Sequence, residues 1–243
     1  MKSVAFVVSD DGMGHRVRCG ALAQEFMSRG WGHQFLKPGD RTTADVLVAD
    51  HPFGGMRPQH GLFVVVTDTP HLNIGQPIDL LVCGSPGTRM EDFLGLTRKR
   101  LLVGPQYSLL RPEFGAWRET AIQPSRSGIL DIRAIVSLSA ACLAAKLSMA
   151  SVVVTYGGMR AMEAACVGAP LVVVPRNEGE RLNARGLAGV GAAIVADDSE
   201  AWNLAQSLLH SEAMRRVMSR AGMALVDGQG CKRVVTAIEE LLP

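Results

Sequence analysis

Residues 152–187, VVVTYGGMRAMEAACVGAPLVVVPRNEGERLNARGL, decide the fold of this chain. A valine-rich run ends at the pair Gly157–Gly158, a helical pattern covers 159–167, and a second apolar run follows at 171–174. Continuous apolar strands separated by a helix are typical of a parallel sheet that is covered on both faces. The stretch therefore predicts an α/β fold with a ligand site where the first strand meets its helix.

The polar residues of this stretch form a candidate binding site. The glycine pair and Met159 begin a helix, and the exposed amides of a helix start favour an anion. The carboxylate of Glu163 can accept hydrogen bonds from both hydroxyls of a ribose. A glutamate on a helix can also be a solvated surface residue. The remaining candidates flank the two strand ends and comprise Tyr156, Gly157, Gly158, Arg160, Arg176, Asn177 and Glu178.

A second glycine-rich turn lies at 9–23, SDDGMGHRVRCGALA, between an apolar strand and a helical pattern. Gly12 and Gly14 permit a tight turn and a close backbone approach to a ligand. The turn lacks both the G-x-G-x-x-G fingerprint and a Walker lysine, so neither NAD nor ATP is indicated. His15 can accept a proton near neutral pH or can help to cap the helix. Arg18 lies on the same helical side, where it could meet an acidic ligand or pair with a neighbouring aspartate.

Apolar runs and helical patterns alternate along the whole chain. Strands are predicted at 3–8, 45–49, 62–67, 79–83, 101–103, 132–136, 151–155, 171–174 and 192–195. Helices are predicted at 15–29, 139–149, 159–167, 180–190, 199–209, 211–225 and 230–242. Residues 115–128 have no clean period and combine Pro, Ser, Gly and mixed charges, which favours a linker. It would separate an N-terminal domain, 1–114, from a C-terminal domain, 129–228, and the last helix, 229–243, could return to the first domain.

The overall composition is that of a globular protein and agrees with the predicted α/β class. Apolar residues make up 47% and charged residues 20% of the 243, and the net charge of +2 gives no preference for a polyanionic partner. Five scattered cysteines without C-x-x-C spacing predict reduced core thiols. Because no apolar run reaches about 18 residues and the N-terminus lacks a signal-peptide pattern, a cytoplasmic protein without a membrane span is expected.

Several motifs resemble enzymes of the GT-B fold that act on nucleotide sugars. The pattern G-G-x(4)-E-A-x(3)-G-x-P at 157–170 resembles the donor-binding half of GT-B glycosyltransferases, including the N-acetylglucosaminyltransferases that form lipid II. Four further segments are similar to the UDP-sugar hydrolases of the pseudaminic acid pathway: GMGHRVRCGALA (12–23), ADVLVADH (44–51), GPQYSLLRPEF (104–114) and DGQGCKRVVTAIEEL (227–241). The resemblance implies two Rossmann-like domains whose parallel sheets face a cleft, with the second domain shortened.

The resemblance also implies roles for the candidate residues. A UDP-sugar would be bound with its ribose on Glu163 and its diphosphate on the backbone of Gly157, Gly158 and Met159. His15 would be the general base, and Asp50, which ends the ADVLVADH strand, would contact the substrate. Asn177 lines up with an asparagine of the hydrolases and becomes a candidate catalytic residue, whereas Glu178 replaces their glutamine.

Two departures from the hydrolase pattern favour glycosyl transfer. Pro52 stands where the hydrolases have a tyrosine, and 115–150 lack their Gly-Gly-Ser/Thr-Asp loop. The predicted function is therefore that of a GT-B glycosyltransferase with a UDP-sugar donor. The alternatives are a UDP-sugar hydrolase and a non-catalytic nucleotide-sugar-binding partner subunit. The acceptor stays open between a small sugar, a lipid-linked intermediate and a hydroxylated polymer, modified nucleic acid included.

The sequence indicates neither a metal nor a further cofactor. It contains no D-x-D pair, and its six histidines show no zinc spacing. Helix amides and an arginine, with Arg18, Arg160 and Arg176 as the candidates, would then meet the charge of the diphosphate.

Overall fold

A computed structural model describes residues 1–8, 13–50, 61–70, 77–95, 97–120, 126–135 and 138–243. Gly12, which the sequence places among the substrate-binding residues, lies outside these ranges.

The described residues form ten strands and eight α-helices. The strands are β1 (Ser3–Val8), β2 (Gly32–Leu36), β3 (Val46–Asp50), β4 (Leu62–Thr67), β5 (Ile78–Cys83), β6 (Thr97–Val103), β7 (Ile129–Asp131), β8 (Val152–Thr155), β9 (Leu171–Val173) and β10 (Ala193–Val195). The helices are α1 (Met13–Ser28), α2 (Pro112–Thr120), α3 (Ala140–Met149), α4 (Met159–Cys166), α5 (Glu178–Gly189), α6 (Ala201–Leu209), α7 (Glu212–Leu225) and α8 (Gly230–Leu241). Short 3-10 turns occur at Met90–Phe93 and Pro105–Tyr107.

The chain divides into two compact units. The first unit contains Met1–Gly84, Thr88–Leu109 and Gln229–Pro243, and the second contains Ser85–Gly87 and Leu110–Gly228. Each unit has its own parallel sheet, so the predicted α/β class with two parallel sheets is confirmed.

The first unit is built on a six-stranded sheet with the order β2-β1-β3-β4-β5-β6. After β1 the chain adds β2 on one side and then crosses to β3 on the other, so the strand order reverses between β1 and β3. The carboxyl ends of two strands at such a reversal leave a crevice in which ligands bind. Val8 pairs with Asp50 there, which brings the end of β3 beside the exit of β1.

Apolar side chains cover both faces of this sheet. On one face Phe6 packs edge-on against Phe26 of α1, and buried residues of α8 complete the cluster. On the other face Phe63 and Phe93 belong to a separate buried cluster. This two-sided burial explains why the strands read as continuous apolar runs.

The second unit has a four-stranded parallel sheet with the order β10-β9-β8-β7. Helices α3, α4 and α5 contribute to the buried cluster on one face, and α6 and α7 contribute to the cluster that contains Val152, Val154 and Val172. At the beginning of this unit Leu110 and Phe114 are buried with residues of α4. That contact fixes the entry of the chain into α2.

Three elements differ from the sequence predictions. β7 lies at Ile129–Asp131 instead of 132–136, and Ile132, which follows the strand, is buried in the core of the second unit. β2 escapes prediction because its residues, GHQFL, form a half-exposed edge strand without an apolar run. Residues 115–120, expected to begin a linker, instead continue α2, which begins with a proline at its first position and buries Phe114.

Candidate functional site

The imidazole of His15 is held at the reversal point of the first sheet. His15 lies in the first turn of α1, and its Nδ1 is 2.9 Å from Oδ1 of Asp50. Asp50 ends β3 and is fully buried. In the tautomer that donates its Nδ1 hydrogen to this carboxylate, the other ring nitrogen, Nε2, is the proton acceptor.

Arg18 anchors the carboxylate that holds His15. Its Nε donates to Oδ2 of Asp50 over 2.5 Å, its Nη2 bonds to Oδ1, and its Nη1 pairs with Asp68. Its Nη2 also lies 3.0 Å from Nδ1 of His15. Although burial alone would raise the pKa of Asp50, the charge and hydrogen bonds of Arg18 and His15 hold it below the usual value. In the structure, Arg18 therefore pairs with two aspartates, Asp50 and Asp68.

The Gly157–Gly158 turn joins β8 to α4 in the second unit, and Gly158 is the N-cap of that helix. Gly158 has no side chain, so the N-cap residue makes no side-chain hydrogen bond to the first amides of α4. A Cβ atom on Gly157 would lie 2.4 Å from the carbonyl oxygen of Glu180. The close approach of α5 therefore requires glycine at this position.

Two residues of α5 that the sequence predictions did not include surround this turn. Asn183 is buried, and its Nδ2 donates to the carbonyl oxygen of Gly157 over 2.9 Å. The Oδ1 atom of Asn183 is buried and has no hydrogen-bond partner among the described residues. Glu180 is also buried and accepts from the backbone and the guanidinium of Arg176, each at 2.8 Å. Asn183 and Ala184 lie in the quoted stretch 152–187, and an Asn-Ala pair after the strand and proline is part of the resemblance to the donor-binding half of GT-B glycosyltransferases. This pair was the signal that could have found Asn183.

Arg176 and Tyr156 meet where β8 and β9 end. The guanidinium of Arg176 lies 3.8 Å from the centre of the Tyr156 ring, which is the geometry of a cation–π contact. The ring and Glu180 together fix the guanidinium, and the hydrogen bond to Glu180 raises the pKa of Arg176. Arg176 therefore presents a permanent positive charge at this edge of the second sheet.

Glu163 is paired with a residue that the sequence predictions did not single out. Its carboxylate accepts from Nε of Arg111 over 2.8 Å and from Nη2 over 3.0 Å. The side chain of Glu163 is 1% exposed, whereas that of Arg111 is 20% exposed. Burial raises the pKa of Glu163, and the charge of Arg111 acts against that rise. Arg111 belongs to the quoted segment GPQYSLLRPEF, which was the signal that could have found it.

Three further candidates, Arg160, Asn177 and Glu178, have hydrogen-bond or ion-pair partners within the protein. Arg160 donates to the carbonyl oxygens of Ile132 and Ile135 and so fixes the chain after β7. Asn177 is the N-cap of α5, and its Oδ1 accepts from the amide of Glu180 over 3.0 Å.

Glu178 is exposed and pairs with Arg185 at 2.6 Å. Of the other candidates, Gly14 lies within α1, and Met159 is the first residue of α4.

Two features are absent from the described part of the chain. Across residues 1–8, 13–50, 61–70, 77–95, 97–120, 126–135 and 138–243, no group of three or more His, Cys, Asp or Glu side chains is placed to bind a metal ion. Within the same ranges, no helix has the length and apolar character needed to cross a membrane.

Residues 134–227, most of the second unit, match the family model of the glycosyltransferase family 28 C-terminal domain. A curated relative is the spore coat polysaccharide biosynthesis protein SpsG of Bacillus subtilis (strain 168). It is 27% identical over 106 residues, which are 41% of this chain and 31% of SpsG. The match thus spans about a third of that relative.

Solved structures share the architecture of the whole chain. MnaA of S. aureus, in a co-structure with UDP, has a TM-score of 0.66 at 11% identity and covers 100% of this chain and 97% of its own. MurG of Acinetobacter baumannii has a TM-score of 0.60 at 12% identity and covers 99% of this chain and 100% of its own. These likenesses confirm the predicted GT-B-like fold. The family match concerns residues 134–227, and the two structures share the fold with this chain.

Proposed function

We propose that this chain is a GT-B-type glycosyltransferase that takes its sugar from a UDP-sugar without a metal ion. The family match carries the proposal, because it includes the Gly157–Gly158 turn, all of α4 and the strand ends around them. UDP is favoured over other nucleotides by the sequence resemblance and by the UDP bound in the structurally similar MnaA.

The second unit would hold the donor. The bare start of α4 offers amide donors and the positive end of a helix dipole to a diphosphate. Arg176, which Tyr156 and Glu180 hold in place, would add a fixed positive charge, so helix and guanidinium together would take the place of a metal ion. Glu163 would accept hydrogen bonds from the ribose hydroxyls.

The first unit would supply the base. Nε2 of His15 takes the proton of the acceptor hydroxyl while the acceptor oxygen bonds to the anomeric carbon of the sugar. The bond between that carbon and the diphosphate oxygen breaks, and its electron pair leaves with UDP. Asp50 then stabilises the imidazolium through Nδ1, and base catalysis of this kind contributes on the order of 10²- to 10⁴-fold.

The acceptor defines the reaction. An alcohol on a small sugar, a lipid-linked intermediate or a hydroxylated polymer, including a modified nucleic acid, gives glycosyl transfer. Water in the same position gives the alternative, a UDP-sugar hydrolase. The chemistry of His15 is the same in both reactions, so only an assay separates them.

The test follows UDP release by the purified chain from a panel of UDP-sugars, with and without cell extract that has been freed of small nucleotides. We expect release only with extract, loss of that release in the variant His15→Ala, and persistence of release in EDTA. Release in buffer alone would make the chain a hydrolase. If UDP binds but no release occurs in either condition, a non-catalytic binding subunit replaces the enzyme.

A further inference from the structure

Arg111 and Glu163 form a bidentate ion pair within the second unit. The two hydrogen bonds join parallel N–H groups of the guanidinium to the two carboxylate oxygens. Each carboxylate oxygen has two acceptor positions, and Arg111 fills only one on each. The pair therefore leaves acceptor capacity on both oxygens, in the number that the two hydroxyls of a ribose require.

The surroundings of Arg111 hold its guanidinium in one orientation. Its neighbours Leu110 and Phe114 are buried in the core of the second unit. The guanidinium carbon also lies 5.1 Å from the centre of the Phe114 ring, within the range of a cation–π contact. A guanidinium that is held in one orientation and donates two parallel hydrogen bonds can fix the plane of the carboxylate that accepts them.

The charges around Glu163 show what Arg111 has to balance. From α2, Glu113 faces it with a like charge, and Oε2 of Glu113 is itself buried without a hydrogen-bond partner among the described residues. On α4, Arg160 contributes a favourable charge, and Cys166 is a neutral thiol because burial raises its pKa to about 12. Arg111 is the partner that hydrogen-bonds directly to the carboxylate.

We infer that Arg111 is a positioning residue that keeps Glu163 ionised and oriented, so that the two side chains act as one recognition unit for the 2′- and 3′-hydroxyls of the donor ribose. The inference rests on the proposed function, since it assumes that a nucleotide binds to the second unit. The charge state of Glu163 then depends on Arg111. A carboxylate that is buried to this extent and has lost its cation would take up a proton, and the protonated oxygen would act as a donor.

The test compares the affinity of the chain for UDP with its affinity for 2′-deoxy-UDP. The ratio of the two dissociation constants is the 2′-hydroxyl preference, and a hydrogen bond to a charged group makes it about 10- to 100-fold. We expect the wild type to show this preference, Arg111→Met to bring it close to one at pH 6, and Arg111→Lys to give an intermediate value. In an E163Q background, Arg111→Met should change nothing further.

The pH profile separates positioning from mere structural support. Loss of the Arg111 charge raises the pKa of Glu163 further in Arg111→Met, so the preference of this variant should increase as the pH is raised above 6, while the wild-type preference stays flat. A structural role would lower stability without this increase. Arg118→Met is the matched control: Arg118 lies on α2, the helix that follows Arg111, and it donates to the carbonyl oxygens of Met223 and Val226, so its loss should leave the preference unchanged.

The outcomes distinguish this inference from the proposed function. A wild type that binds neither nucleotide overturns the proposed function. A wild type that prefers UDP, together with an Arg111→Met variant that keeps the full preference at pH 6, overturns the inference alone. Should Arg111→Met fail to fold, an unchanged preference in Arg111→Lys is enough to overturn the inference. Equal binding of UDP and 2′-deoxy-UDP by the wild type removes Glu163 from the ribose site.

Discussion

At the scale of single residues, the cluster of His15 with Asp50, Asp68 and Arg18 explains how a buried charge can serve proton transfer. Asp50 and Asp68 carry two negative charges against the one positive charge of Arg18. When His15 takes up a proton, the net charge of His15, Asp50, Asp68 and Arg18 together becomes zero, so proton uptake does not increase the charge of the cluster. A buried charge is tolerated when it is paired and hydrogen-bonded, and this cluster is paired both before and after the proton moves.

Asp50→Asn tests whether that pairing supports turnover. The amide has the shape of the carboxylate but can no longer neutralise the imidazolium, so we expect kcat for UDP release to fall on the order of 10²-fold or more with little change in UDP affinity. The readout is UDP release together with the dissociation constant for UDP.

Asp68→Asn is the control for the Asp50 variant, because Asp68 pairs with Arg18 and its side chain is 44% exposed. It should cost much less than Asp50→Asn. Equal losses of kcat in the two variants would show that Arg18, rather than the contact between Asp50 and His15, matters. Melting temperatures of both variants check that the losses are not due to unfolding.

The sequence could predict the chemistry of these residues better than their partners. His15 stands out because it follows a strand and a glycine turn, and Glu163 because it follows a glycine pair. Their partners Asp50 and Arg111 lie 35 and 52 residues away along the chain. Such pairings come from strand order and helix packing, which no local spacing encodes.

At the scale of elements, local signals predicted the buried strands well and the surface elements poorly. β8 and β9 are fully buried runs of Val, Leu and Thr, and Gly157 shortly after β8 and Pro170 directly before β9 mark their limits. β2 is a half-exposed edge strand, and α2 has mixed polarity around the buried Phe114. The position of these two elements is decided by tertiary contacts.

The start of α5 shows an element-scale role for a residue that the sequence marked as catalytic. Asn177 caps the helix, and two of the residues that reach the Gly157–Gly158 turn, Glu180 and Asn183, come from later positions of α5. The cap therefore orients the helix that carries them.

Asn177→Ala should lower the free energy of unfolding by about 1 kcal/mol, because the amide of Glu180 loses its side-chain acceptor. Asn177→Asp should keep the stability, since aspartate caps as well as asparagine. Chemical denaturation of both variants measures this, and UDP release adds the functional readout. If Asn177→Asp folds normally but loses turnover, the amide has a role in the reaction beyond the cap.

At the scale of the whole molecule, the chain builds each unit around a separate core, and the first unit depends on the last residues of the chain. α8 adds Val234, Val235 and Ile238 to the cluster that contains Phe26 of α1. Glu239 reinforces the attachment, because it accepts from Arg29 over 2.6 Å and from the Trp31 indole over 3.1 Å. From the sequence, α8 is predicted as a helix that could return to the first domain, and the structure places Gln229–Pro243 in the first unit.

Ile238→Ala should therefore destabilise the first unit selectively. Ile238 is fully buried, so its truncation costs about 2–5 kcal/mol and should accelerate amide hydrogen exchange in β1, β3 and β4. Exchange in β8 and β9 should keep its wild-type rate, because those strands belong to the other core. Leu187→Ala, a fully buried residue of α5, is the reciprocal control and should reverse the pattern. Uniform acceleration across all five strands in both variants would mean that the two cores unfold as one cooperative body.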